Sequence, residues 1–230
     1  MLTSRLLQLG RNVTTGMHYS ILAVRADVAQ LVAAVPLAWA NREPAQTATV
    51  AGFGELHDWS RANQRVVTSA PGAPTGPGID VFGFWQDGAW AVTMDASHVM
   101  LADAEALQAV SERFGRALCF SMETTSGCAF FDAYEGGRRV RSLRACDGDL
   151  TSEGERLPEE AHLPRKRFYM REMDRLQEAF GLSPPGDLPD DQAVLAAAFI
   201  DHTDYAALRR EHETLMAESK RANRPWWRFW

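Results

Sequence analysis

Two sets of histidine and carboxylate are the residues here most able to do chemistry. His57 and Asp58 are adjacent and follow the glycine-rich GFGEL. An imidazole beside a carboxylate can hold a metal ion or pass a proton. Asp95 and His98 form a second set, after the strand-like WAVTMD. Taken together, His57, Asp58, Asp95 and His98 would serve a metal-dependent hydrolase. Such a site needs further ligands on a helical scaffold, and none can be assigned from the sequence. The plainer reading makes His57-Asp58 a polar loop pair and leaves Asp95 and His98 to cap a helix or meet water. It assigns no catalytic residue and no metal site.

Cys119, Cys128 and Cys146 are nine and eighteen residues apart. No pair has C-x-x-C spacing and the number is odd, so the expectation is reduced, half-buried thiols in a cytoplasmic protein. Glu123, Thr124, Thr125 and Ser126 lead into Cys128, and a Ser-Gly turn accounts for that stretch without a nucleophile. The motifs G-x-x-x-x-G-K-[ST], G-x-S-x-G and H-E-x-x-H are absent. GFGELH has only two of the three glycines of a dinucleotide fingerprint, so no cofactor is expected.

The basic run RKRFYMREMDR, residues 165–175, interleaves arginines with aromatics, as single-strand binders do. Its aromatics follow a helical apolar stripe, however, and acids lie just upstream. With a net charge of −6, the chain lacks the basic surplus that phosphate binding needs, so nucleic acid is not the expected partner. The last residues, RPWWRFW, hold Trp226, Trp227, Arg228, Phe229 and Trp230. Four aromatics represent roughly 800 Å² of apolar surface. They can fold back on their own domain, dock into another protein or a second copy, or lie at a membrane surface. The acidic chain and the mixed charge of the preceding helix disfavour the membrane. These five residues are the expected partner-binding set.

The elements that must position these groups read as α+β. MHYSILAVRA is a strand, and Asp27 with Gln30 opens a short helix that Pro36 closes. Strands are expected near Thr47–Phe53 and Arg65–Ser69, with a loop or helical turn between them. IDVFGFW and AWAVTMD form a hairpin with Asp87-Gly88 in its turn. A helix capped by Asp103 and stopped by Gly115 follows, and then a three-stranded meander. The result is an antiparallel sheet with helices packed on one face. DGDLTSEGERLPEE reads as a solvated loop. Three helices are expected from about residue 164, including one from Asp190 or Asp191 through Ile200. The organisation is then a disordered leader over 1–16, a sheet domain over 17–160, a helical segment over 161–222 and an aromatic tail over 223–230. The longest apolar runs, Leu31–Ala40 and Ala193–Ile200, fall short of the ~18 residues that span a bilayer.

From Gly83 to Glu160 the chain carries WAVTMD, a helix, ALCFSMETTSGCAFFDAYEGGRRVRS and a closing GERLPEE. This third of the sequence resembles small bacterial proteins of unassigned function, often accessory or immunity-type partners of other proteins. The arginine-for-lysine bias agrees with a GC-rich bacterial source, since only Lys166 and Lys220 are lysines. The resemblance implies a binding role; with the absent catalytic motifs and the cysteine reading, the expectation is a cytoplasmic, non-enzymatic protein whose partner is another protein, such as a toxin, or a copy of itself.

Overall fold

The computed structural model describes residues 18–39, 41–67, 76–95, 103–123 and 127–222. Among these residues nine strands make one sheet, every neighbouring pair antiparallel. In chain order the elements are β1 (His18–Val24), α1 (Val28–Ala38), β2 (Arg42–Ala51), α2 (Gly52–Asn63), β3 (Gly78–Asp87) and β4 (Trp90–Asp95). They continue with α3 (Ala104–Phe114), β5 (Arg116–Glu123), β6 (Cys128–Glu135), β7 (Arg138–Cys146) and β8 (Asp149–Gly154). Last come α4 (Met170–Ala179), β9 (Ala193–Asp201) and α5 (Tyr205–Ala222). Across the sheet the order is β2-β9-β3-β4-β1-β5-β6-β7-β8.

The α+β class and the antiparallel sheet are those expected, but both faces are covered rather than one. Strand side chains alternate between two core layers. Ile21, Trp85, Phe120 and Phe131 point into a layer closed by Met173, Leu176 and Phe180 of α4 and its C-terminus. Phe53 of α2 packs edge-on against Trp85 in the same layer, at 5.2 Å between centroids. Leu22, Phe82, Phe84 and Cys119 point the other way, under Leu31 and Val35 of α1 and Leu107 and Val110 of α3. The N–H of Asp27 donates to Gln30 Oε1 at the start of α1, as its sequence suggests. Pro36 lies within that helix, which runs on to Ala38.

The helix expected over 190–200 is instead β9, between β2 and β3. AVLAAAFI shows no period-2 alternation because both of its faces are buried, and its alanines favour a helix locally. Pairing on both sides overrides that preference. Val194 and Ala196 meet Leu56 of α2, while Ala197 and Phe199 enter the opposite layer. Small residues let α2 approach: a Cβ on Gly83 would come within 2.3 Å of Leu56 Cδ2. HDWSRAN belongs to α2, the helical alternative, and the described part of the strand expected at Arg65–Ser69 shows a bridge from Arg65 to Ile79. The β3–β4 turn is Gly88-Ala89, with Asp87 paired to Trp90. The expected leader, most of PGAPTGPG, His98 and the aromatic tail lie outside the described residues.

Candidate functional site

The solvated loop expected at 147–160 is structured. Asp147 and Gly148 both take positive φ, 52° and 87°, and form a two-residue hairpin turn from β7 into β8. Gly154 ends β8 at φ +79°, where a Cβ would meet the Val140 carbonyl oxygen at 2.1 Å, so only glycine fits. The chain then crosses one face of β7 and β8 through a 3-10 turn, Pro158–Glu160, on its way to α4.

A cavity of about 290 Å³ opens beneath this crossing. Leu143, Leu150, Leu163 and Phe168 make its apolar floor, and Arg141, Arg156, Arg165, Arg167 and Glu160 are among its polar walls. Arg141 is buried and bidentate on Glu160, with Nε–Oε1 at 2.7 Å and Nη2–Oε2 at 2.8 Å. Its Nη1 donates to Ser152 Oγ and to the Glu153 and Gly154 carbonyls. This pair is internally neutral. The other arginines are not matched in the same way. Arg156 donates through Nη2 to the Glu160 and Leu163 carbonyls, and its buried Nε has no hydrogen-bond partner among the described residues. Arg165 is exposed and makes no ion pair among the described residues. Arg167 is 3.4 Å from Glu172 and largely exposed. Four arginines therefore face one glutamate, in a chain of net charge −6.

A second polar cluster sits where β2 and β3 begin and β4 and β9 end. Arg42 contacts Asp80 through Nε at 2.7 Å and Asp201 through Nη1 at 2.5 Å. Burial, together with Asp201 and Asp95 nearby, pushes the Asp80 carboxyl up to about 6 despite Arg42. Burial also acts on Asp201, but hydrogen bonds from Thr203 and Tyr205 and the Arg42 charge outweigh it and hold that carboxyl below its usual range. Burial and Asp201 raise the Tyr205 phenol to about 12. The cluster ties the start of α5 to the sheet.

Because the folded state favours protonated Asp80, its support is full below the unfolded pKa of about 4 and is lost as pH rises through about 6. Asp80→Asn should remove this dependence. Urea denaturation at pH 4 and pH 7 should show the acid-side advantage of the parent smaller in the variant by about 2–3 kcal/mol.

The histidine and carboxylate sets do not converge. His57 and Asp58 are exposed on α2, and His57 Nε2 lies 2.8 Å from Arg61 of the next turn. Asp95 is buried at the end of β4. It pairs with Phe82, while its neighbour Met94 packs beside Leu56 and Phe53 on the α2 side. Alternation therefore puts Asp95 on the face opposite α2, with the sheet between it and His57-Asp58. His98 lies outside the described residues. Among the described residues no three His, Cys, Asp or Glu side chains are grouped to hold a metal ion.

The cysteine expectation is corrected. Cys128 and Cys146 form a disulfide, their Cα atoms 4.3 Å apart. They lie opposite one another at the end of the β6–β7 ladder, a proximity that an eighteen-residue spacing conceals until the hairpin is formed. Cys119 is buried and outside the disulfide. Other expectations have clear places. His202 Nε2 is 2.9 Å from Glu43, and Asp204 accepts the Ala207 N–H at the start of α5. In the 165–175 run, Phe168 is buried and Tyr169 packs against the same core. Those rings are spent on packing. No helix among the described residues is long and apolar enough to cross a membrane. Sequence reading missed the arginine groove because its walls come from two strands and a turn; the Asp-Gly at 147–148 was the available signal.

No protein-family model, curated protein or solved structure matches this chain.

Proposed function

We propose that this chain is a non-enzymatic protein-binding protein, of accessory or immunity type, and that it meets its partner at the groove beside β8. The observation behind this reading is the arginine excess over an apolar floor, with Arg156 and Arg165 lacking any carboxylate partner among the described residues. Clustered arginine beside apolar surface is a common composition for the centre of a protein interface. Trp226, Trp227, Arg228, Phe229 and Trp230 are proposed as a second contact, on sequence alone.

Co-purification from the native host tests both contacts, using the parent, Arg165→Glu with Arg167→Glu, and a chain lacking 223–230. The expected result is a partner retained by the parent and lost from the charge-reversed chain. A partner lost only on deletion of 223–230 moves the site to the tail. If nothing co-purifies with any of the three, the protein-binding reading fails.

The bacterial, cytoplasmic setting belongs to the same proposal and rests on composition. The Cys128–Cys146 disulfide stands against the cytoplasmic part of it, because cytosolic thiols are kept reduced. Alkylation at lysis under denaturing conditions counts the thiols: three per chain fit the cytoplasm, and one, Cys119 alone, fits an oxidising compartment.

A further inference from the structure

We infer that the β8 groove takes an extended segment of a partner protein as an added antiparallel strand, with the pattern acid-x-apolar-x-apolar. This rests on the protein-binding reading above and names the partner's chemistry.

β8 is the last strand of the sheet, and no strand among the described residues pairs with its outer side. Five of its six residues are exposed and Leu150 is half-buried. In a two-residue hairpin the pair closing the turn exchanges both backbone bonds, and such pairs alternate along the ladder. Here Cys146–Asp149 closes the turn, so Arg144–Thr151 and Ser142–Glu153 also bond inward. Leu150 and Ser152 are left with N–H and C=O turned outward. The other edge, β2, is less suited, since Pro44 and a bulge interrupt it.

Side-chain alternation then sets the pattern. Leu150, Ser152 and Gly154 share the groove face, being paired with Ala145, Leu143 and Arg141. The Leu150 end of the groove is apolar, with Leu143 beside it. The Gly154 end is polar, with Arg141 bonded to the Gly154 carbonyl and Arg156 following in the chain. An antiparallel segment enters at Gly154 and leaves at Leu150. Its first groove-facing residue meets the arginines and should be Asp or Glu. The next two groove-facing residues meet the apolar floor. The intervening residues lie on the side of Asp149 and Glu153, which disfavours acids there. The chain's own RPWWRFW suits the site poorly, since its charged side chains are arginines.

The test uses the full chain and a labelled peptide, TEKLTVT, followed by fluorescence anisotropy. TEKLTVT should bind about tenfold more tightly than TQKLTVT, the order expected for one charge-assisted contact. Arg165→Ala, an exposed position, should remove most of that difference, and so should added salt. N-methylation of the peptide at Leu and Val, whose N–H groups would face β8, should abolish binding. N-methylation at Lys and the second Thr should leave it nearly unchanged. Equal binding of the Glu and Gln peptides overturns the inference, as does binding indifferent to the position of N-methylation. No binding of any peptide overturns it too, and if a partner still co-purifies then the protein-binding reading stands without it. A rise in peptide affinity when 223–230 is deleted identifies the tail as the occupant and likewise overturns it.

Discussion

A chain ending at Glu160 is expected not to fold cooperatively. The cut falls at the boundary between a sheet domain and a helical segment that sequence reading suggests, yet it removes β9 from the sheet. β2 then has no neighbour, and β3 loses its partner along Gly78–Phe84. One core layer also loses Leu163, Phe168, Met173, Leu176, Phe180 and Leu182, all buried. At ~1.5–3 kcal/mol for each buried side chain, those six account for roughly 9–18 kcal/mol. A whole domain is typically stable by only about 5–15 kcal/mol. Circular dichroism of the truncated chain should show a broad, low-amplitude melt and early loss of signal in urea. A sharp, two-state transition would show that residues 17–160 fold as an independent unit.

Glu160→Ala is the point substitution with the largest expected effect. It strands the Arg141 guanidinium, which is buried between β7 and the crossing chain. Removing one partner of a buried, bidentate pair costs about 3–5 kcal/mol, because the remaining charge keeps its desolvation penalty without the attraction. Arg141→Met with Glu160→Leu removes both charges and should recover at least half of that loss. Chemical denaturation of the parent, the single variant and the double variant measures it. An equal loss in both variants would mean that the shape of the turn matters rather than the charge. The double variant also separates stability from recognition: it should regain stability and still prefer the Glu peptide over the Gln peptide, since the Arg141–Glu160 pair is internally neutral and Arg165 is untouched.

Local signals carried much of the fold. The Asp27–Gln30 cap, the Asp103 cap and the Gly115 stop each act within one turn of helix, and each marks its helix correctly. The meander from β5 to β7 is set by short turns and apolar stretches of strand length. What failed depends on distant partners. AVLAAAFI cannot reveal that β2 and β3 will flank it, because burial on both faces erases the alternation that identifies a strand. The acids of DGDLTSEGERLPEE suggested solvent, although Glu160 is neutralised by Arg141 nineteen residues earlier. The groove was illegible for the same reason: its arginines are scattered from 141 to 167 and meet only once the 3-10 turn folds over β7. The expectation of free thiols failed on a pairing that exists only in the folded hairpin.

The place of β9 also has a consequence in time. β2 is complete at Ala51, but the strand that covers one of its edges ends at Asp201, 150 residues later. At about 5–20 residues per second of synthesis, roughly 8–30 s separate the two on the ribosome. Throughout that interval β2 is an orphan strand with both edges open, and from residue 95 onward the nascent chain also contains β3 and β4. Pairing β2 directly with β3 is the natural error, and it would shut β9 out. Pro44 has no N–H to give to a ladder, which weakens β2 as a partner for β3. The place between β2 and β3 therefore has to stay open until the last strand is made.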